Sequence, residues 1–217
     1  MTPPGQTHPA RDLALDDPCL AGCREGRADA IEQFFRSHSA MVERLIARLI
    51  GPSADLEDLV QSTFVEVLAS LSRFRGEAKL STWICGIAVN IAHHHLRAGK
   101  VRRHVSLELV SDEYPRLVGV FVDTRVGADH GIDARRLANR LHSVLDRIGP
   151  KKRIALLLYV LEEKSVEEIA ALMKATQTAT RSRMYFARRE LRKLVAADAE
   201  LKDWAAGLMR LSVEGHA

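Results

Sequence analysis

The fold is decided by residues 165–193, which read SVEEIAALMKATQTATRSRMYFARRELRK. Ser165 and Glu168 have the spacing of a capping box, in which each side chain bonds the other residue's backbone N–H. We therefore expect a helix to begin at Ser165. Its apolar residues recur at helical spacing and form one face: Val166, Ile169, Ala170 and Met173.

A turn and a basic helix follow. Residues 174–177 have no apolar period, and Thr176 or Thr178 can cap the next helix. Its expected inner face holds Met184, Ala187, Leu191, Leu194 and Val195, and its outer face holds Arg181, Ser182, Tyr185 and Arg188. In a helix-turn-helix motif the second helix enters the DNA major groove. The pattern predicts such a motif, and the alternative is a solvated basic helix at the end of a bundle.

The N-terminal half predicts three further helices. Apolar residues at helical spacing begin at Ala28 and stop at the Gly-Pro step that starts at Gly51. A second helix is expected to begin near Ser53. A third is expected to be capped by Ser81 or Thr82.

Charge is segregated along the chain, although the formal net charge is only +4. Residues 49–72 contain no Lys or Arg, whereas residues 97–104 contain no Asp or Glu. Oppositely charged segments in one protein suggest two kinds of partner.

The fold class predicted is all-α, with two small helical domains joined by a flexible linker and a helix-turn-helix in the second. The linker interpretation rests on glycines, a proline and several acids that break the helical period. The predicted boundaries are a disordered leader at 1–24, a first domain at 25–104, a linker at 105–133, a second domain at 134–197 and a C-terminal extension at 198–217. Leu201, Trp204, Ala205, Leu208 and Leu211 recur at helical spacing in the extension, so we expect a further helix that packs on protein.

Several kinds of site are disfavoured. Three scattered cysteines are too few for a disulfide framework, so free thiols are expected. Residues 93–95 are consecutive histidines, which a helix points about 100° apart, so they cannot all bind one metal ion. The chain has no long apolar run and no secretion signal, which predicts a cytoplasmic protein without membrane insertion.

The two modules together resemble the bacterial RNA polymerase sigma factors of the extracytoplasmic-function (ECF) group, over residues 28–103 and 136–194. Residues 55–68, DLEDLVQSTFVEVL, are similar to the family's acidic segment that docks on the polymerase. Residues 73–97, RFRGEAKLSTWICGIAVNIAHHHLR, are similar to the segment that opens and reads the minus-ten promoter element. The motif at 165–193 resembles the reader of the minus-thirty-five element.

The resemblance implies three sets of site residues. The core polymerase set is Asp55, Glu57, Asp58, Gln61 and Phe64. The minus-ten set is Phe74, Trp83, Asn90, His94, Arg97, Lys100, Arg102 and Arg103. The minus-thirty-five set is Thr178, Arg181, Ser182, Arg183, Tyr185, Arg188 and Arg189.

The implied function is promoter selection for RNA polymerase core, with no enzymatic activity, metal or cofactor and with control by an anti-sigma factor. Three positions depart from the family pattern: His94 replaces an acid, Lys174 replaces a glycine of the turn, and Thr178 begins a Thr-Ala-Thr in place of Gly-Thr-Val. These differences bear on the DNA sequence that is preferred.

Two other classes of function compete with this one. A stand-alone helix-turn-helix regulator would bind a promoter without polymerase, but it leaves the acidic helix unused. A nuclease that uses the three histidines would need paired carboxylates or a nucleophile with its base, and neither occurs at a useful spacing.

Overall fold

A computed structural model describes residues 18–51, 53–99 and 140–201. These ranges contain helices and no strand, which confirms the all-α prediction. The helices are α1 (Pro18–Arg24), α2 (Ala28–Ile50), α3 (Leu56–Ser70), α4 (Leu80–Gly99), α5 (Pro150–Val160), α6 (Val166–Leu172) and α7 (Gln177–Ala196), with a 3-10 turn at Leu71–Arg73. The chain divides into two compact units, one built on α1 to α4 and the other on α5 and α7.

Helix α2 is the centre of the first unit and packs against α1, α3 and α4. Val42, Ile46 and Leu49 are completely buried, as their helical spacing predicts. Phe35 belongs to the same predicted stripe, but it is 42% exposed. It lies at the edge of the stripe, where α2 meets α3.

The predicted disorder of the leader is wrong for residues 18–24, which form α1 against α2. Leu20 is completely buried, and the Cys19 thiol donates to the carbonyl oxygen of Ala30 at 3.5 Å. The close approach requires Gly22, because a Cβ there would lie 2.7 Å from the Cβ of Ala30. A Pro- and Gly-containing heptapeptide resembles a disordered segment until the surface that it covers is known. The rest of the leader lies outside the described residues.

The cysteines in the described ranges are free thiols, as expected. Burial, with Cys19 as a neighbour, raises the pKa of Cys23 to about 11. A thiol with such a pKa stays protonated at neutral pH and is chemically inert.

The predicted cap of α4 is wrong. The helix begins at Leu80, and the backbone N–H of Trp83 donates to the carbonyl of Lys79 at 3.0 Å. Ser81 and Thr82 therefore lie in its first turn. Leu80 is 1% exposed, so burial of an apolar residue fixes the helix start where a polar cap was expected.

The second unit is built on a helical segment that ends at residue 145, on α5 and on α7. Pro150 occupies the first turn of α5, as predicted. Arg153 is an unexpected member of the core: it is 1% exposed and pairs with Asp146. A buried arginine is stable only with such a partner.

The helix-turn-helix prediction is confirmed in its local chemistry. The N–H of Ser165 donates to Glu168 at 2.8 Å, and the N–H of Glu168 donates to the Ser165 hydroxyl at 3.2 Å. In the turn, Lys174 has a φ of 47°, a left-handed conformation that favours glycine. Thr176 caps α7, because its hydroxyl oxygen accepts from the N–H of Ala179 at 3.2 Å.

The C-terminal extension begins as predicted, packed on its own unit. Leu201 is completely buried, and its N–H donates to the Asp198 carboxylate at 3.1 Å. The Nε–H of Arg140 also donates to this carboxylate and is shared between its two oxygens, at 2.7 and 2.8 Å. The rest of the extension and the linker at 105–133 lie outside the described residues.

Candidate nucleic-acid and protein interfaces

One face of α3 is acidic, exposed and partly apolar. Asp58, Gln61 and Val65 lie within about 60° of one another around the helix axis. Glu57 flanks them, and its carboxylate accepts from the Gln61 amide at 3.5 Å. Val65, which was not predicted as a site residue, is 69% exposed. The sequence pattern could have indicated this exposure, because Val65 is an apolar residue that lies away from the buried stripe of an otherwise acidic helix.

Two members of the predicted core-binding set lie elsewhere. Asp55 is at the N-terminal end of α3, with its carboxylate 3.8 Å from the Nε2 atom of His95 on α4. Phe64 is 5% exposed, and the centroid of its ring lies 4.7 Å from the centroid of the Phe35 ring. The side chain of Phe64 therefore belongs to the hydrophobic core, and its place in the polymerase-binding set stays a prediction. Phe35 is the more exposed ring of the pair.

Four residues of the predicted minus-ten set lie in one line on α4. Trp83, Asn90, His94 and Arg97 lie within about 60° of one another around the axis. Asn90, His94 and Arg97 are exposed and Trp83 is half-buried. Their types, an aromatic ring followed by polar and basic groups, suit unpaired bases next to a phosphate backbone.

Phe74 has a different place from the one predicted. It is 7% exposed, and its ring lies 5.2 Å from that of Trp83 at an interplanar angle of 41°. Phe74 is therefore a buried support for the tryptophan and offers no stacking face of its own. Lys100, Arg102 and Arg103 lie outside the described residues.

The three histidines diverge, as the helix geometry requires. His95 faces Asp55 across the α3–α4 contact. His94 is exposed and joins the line of Asn90 and Arg97. The rings of His93 and His94 are 5.7 Å apart and steeply inclined. The triplet therefore contributes one side chain, His94, to the exposed line.

The outward face of α7 contains most of the predicted minus-thirty-five set. Thr178, Ser182, Tyr185 and Arg189 lie within about 60° of one another, and all are exposed. Arg181 lies beside them and is also exposed. Met184 and Ala187, from the opposite side, are buried. Sequence periodicity therefore oriented this helix correctly.

Arg183 does not belong to that face. It lies about 140° around the axis from Thr178, on the side of the half-buried residues, and it is itself only partly exposed. Arg183 was included in the minus-thirty-five set but not in the predicted outer face, and a helix distributes consecutive residues around its axis. Arg183 therefore lies apart from the outward face, and its place in the minus-thirty-five set stays a prediction.

The electrostatics of α7 favour an anionic partner. Glu190, the one acid between residues 177 and 193, is paired with Lys152 of α5. Arg181 lies 4.0 Å from Glu167, at the limit of ion pairing and with both groups well exposed. Such a pair is worth little in water, so Glu167 does little to offset the positive charge of this face.

Aromatic residues border the same helix. The guanidinium carbon of Arg188 lies 4.7 Å from the ring centroid of Tyr159 on α5. Tyr185 is 64% and Phe186 45% exposed, with ring centroids 5.4 Å apart. Tyr159 and Phe186 were not predicted as site residues.

No described helix combines the length and the apolar character that a membrane span requires.

The two halves match different family models. Residues 34–102 match Sigma-70 region 2, and residues 138–191 match Sigma-70, region 4. The chain is 31% identical over 172 residues to "RNA polymerase sigma factor CarQ" of Myxococcus xanthus, which covers 79% of this chain and 92% of the relative. It is 29% identical over 172 residues to "ECF RNA polymerase sigma factor SigE" of Mycolicibacterium smegmatis, covering 76% of this chain and 61% of that relative.

A solved structure has the same fold. It is the sigma factor RpoE in complex with the anti-sigma factor NepR from Bartonella quintana, with a TM-score of 0.53 and 20% sequence identity. The match covers 79% of this chain and 99% of that chain. With both regions present in order and a relative above 30% identity matched over most of its length, this chain belongs to the RNA polymerase sigma factors of the ECF group.

Proposed function

We propose that this sigma factor brings RNA polymerase core to promoters through three separate surfaces. Helix α3 binds the polymerase, α4 holds the opened minus-ten element, and α7 reads the minus-thirty-five element. The observation that carries the proposal is the contrast between the acidic face of α3 and the outward basic face of α7. One face suits a basic protein and the other suits a phosphate backbone.

Helix α7 has the form that a major-groove reader needs. Its first turns carry Thr178, Arg181 and Ser182 on the outward face, and the early residues of a recognition helix meet base edges. Arginine can pair with guanine through two hydrogen bonds, and a hydroxyl can bond several bases. Arg189 lies further along and is suited to a phosphate.

Helix α4 supplies a stacking surface for unpaired DNA. An aromatic face holds a base largely irrespective of its sequence, and Phe74 supports Trp83 from beneath. Asn90 and His94 follow along the same line and offer hydrogen bonds. Arg97 then provides a charge for the backbone at the end of the line.

Helix α3 has the composition of a protein interface. Val65 is an exposed apolar residue close to Asp58 and Gln61 on the same face. Interfaces commonly surround an apolar centre with polar groups. The surface on the polymerase that fits this face is basic at its edge and apolar opposite Val65.

The docking surface can be tested by reversing its charge. Asp58→Arg combined with Gln61→Ala should weaken the binding of core polymerase by at least tenfold, with the stability of the chain nearly unchanged because both residues are exposed. Glu43→Arg on α2 is the matched control, since it reverses another exposed acid of the first unit. Equal core affinity for the double variant and the control, measured by fluorescence anisotropy, would exclude α3 as the dock.

We also propose regulation by an anti-sigma protein. The support is the related RpoE, whose structure contains the anti-sigma factor NepR, and the exposure of all three surfaces in this chain. The test is to purify the chain from its native cells and identify co-purifying proteins by mass spectrometry. A regulator should be displaced by added core polymerase, whereas a chain that purifies alone from unstressed cells would contradict the proposal.

A further inference from the structure

We propose that Tyr159 on α5 is a positioning residue, which holds the Arg188 guanidinium ready for the promoter. The inference rests on the proposed role of α7 and adds a residue outside the recognition helix. The Arg188 guanidinium carbon lies 4.7 Å from the centroid of the Tyr159 ring. That distance is within the range at which a cation is attracted to an aromatic face.

The position of Arg188 explains why it needs support. It lies about 80° around the axis from Thr178, at the border of the outward face and near α5. An arginine has many rotamers, and the entropy of fixing them opposes binding. The ring reduces this loss, because it limits the orientations of the side chain before DNA arrives.

An aromatic partner leaves the N–H donors and the positive charge of the arginine available, whereas a carboxylate would occupy them. A guanidinium has five N–H donors in one plane, and a carboxylate takes two of them and cancels the charge. A ring beneath the plane leaves the donors at the edge available for phosphate or guanine. Arg181, in contrast, has the carboxylate of Glu167 at 4.0 Å. Arg188 thus has an aromatic ring as its neighbour before DNA binds, whereas Arg181 has a carboxylate.

Tyr159 is suited to this role by its own position. It is 40% exposed at the last turn of α5, and the preceding residue, Leu158, is 1% exposed and anchors the turn. On the other side of α7, Lys152 of α5 pairs with Glu190. These contacts fix α5 against α7, so the ring is held at a constant place relative to Arg188.

The test is a double-mutant cycle on the complete sigma factor bound to core polymerase, with affinity for a promoter fragment as the readout. Arg188→Ala should weaken binding at least fivefold. Tyr159→Leu should weaken it about two- to fivefold, while Tyr159→Phe, which keeps the ring, should bind like the original chain. The combined variant Tyr159→Leu, Arg188→Ala should bind no more weakly than Arg188→Ala alone.

The controls separate the recognition role of Arg188 from the positioning role of Tyr159. Val160→Ala trims the next exposed side chain of α5 and should leave binding unchanged. If Arg188→Ala binds normally, the proposed recognition face is wrong. If Arg188→Ala loses affinity but Tyr159→Leu does not, only the positioning role is overturned. An equal loss for Tyr159→Phe and Tyr159→Leu also overturns it, because the hydroxyl would then be the active group.

Loss of folding is distinguishable from loss of positioning. Each variant's thermal unfolding is measured alongside its affinity. If Tyr159→Leu lowers stability, Tyr159→Trp replaces it, because the larger ring retains the aromatic face. Weak binding by a stably folded Tyr159→Trp chain would contradict the inference.

Discussion

Acidification should destabilise the second unit through one buried histidine, His142. It is 7% exposed, and burial, with the guanidinium charge of Arg153 as the smaller cause, lowers its pKa to about 3. In the unfolded chain its pKa returns to the ordinary value of about 6.5. Between these values the unfolded chain binds a proton that the folded chain does not. Stability is therefore complete above pH 6.5 and decreases as the pH falls toward 3.

The size of the stability loss follows from the difference between the pH of the solution and the pKa of His142 in the unfolded chain. At pH 5 the solution is about 1.5 pH units below 6.5, and each unit is worth about 1.36 kcal/mol. The free energy of unfolding should thus fall by about 2 kcal/mol between pH 7.5 and pH 5. This is a large part of the total stability of a small helical unit.

The assay compares the original chain with His142→Gln, which keeps a polar side chain that does not titrate. Urea unfolding is measured at pH 7.5 and pH 5, with hydrogen exchange of α5 and α7 amides reporting on the second unit alone. The variant should lose about 2 kcal/mol less on acidification than the original chain. His94→Gln is the control, because it removes an exposed histidine of the other unit. If His142→Gln and the original chain lose stability equally, the reasoning from burial is refuted.

Three further predictions concern the turn, the extension and the recognition helix. Lys174→Gly should be about 1 kcal/mol more stable than Lys174→Ala, because only glycine avoids the cost of the left-handed turn; equal thermal stability would contradict this. Deleting residues 198–217 removes the buried Leu201 and should lower the free energy of unfolding by at least about 1.5 kcal/mol, and an unchanged urea midpoint would show that the extension is dispensable. Arg181→Ala should cost about 1–3 kcal/mol in the affinity of the polymerase holoenzyme for its promoter, and Arg183→Ala under about 0.5 kcal/mol; the opposite order would mean that α7 is wrongly oriented.

The sequence predicted those parts of the fold that depend on local interactions. A capping box needs only Ser165 and Glu168, and the cap of α7 needs only Thr176 and its own first turn. Helical periodicity likewise placed Met184 inside and Tyr185 outside. Each of these outcomes is set within a few residues along the chain, so the pattern contains the necessary information.

Contacts between helices were the parts that the sequence alone did not reveal. Disorder was predicted for α1 because its stability comes from the surface of α2, where Gly22 allows close packing. Phe64 was assigned to the polymerase-binding set, and only the placement of α3 against α2 shows that Phe34 and Phe35 enclose its ring. Tyr159 was overlooked because its partner, Arg188, lies on another helix. These relations appear only after the helices have been placed against each other.

The ion pair between Glu190 and Lys152 has a consequence for the way that DNA binding responds to salt in the cell. With that acid held in an ion pair, the positive charge of the outward arginines is available to release the counterions that surround DNA. If three of them each neutralise one phosphate, the logarithm of affinity falls with the logarithm of salt concentration with a slope of about −2.7. Doubling the intracellular salt would then weaken this contact about sixfold. Osmotic stress would thus change promoter occupancy without any change in the amount of sigma factor.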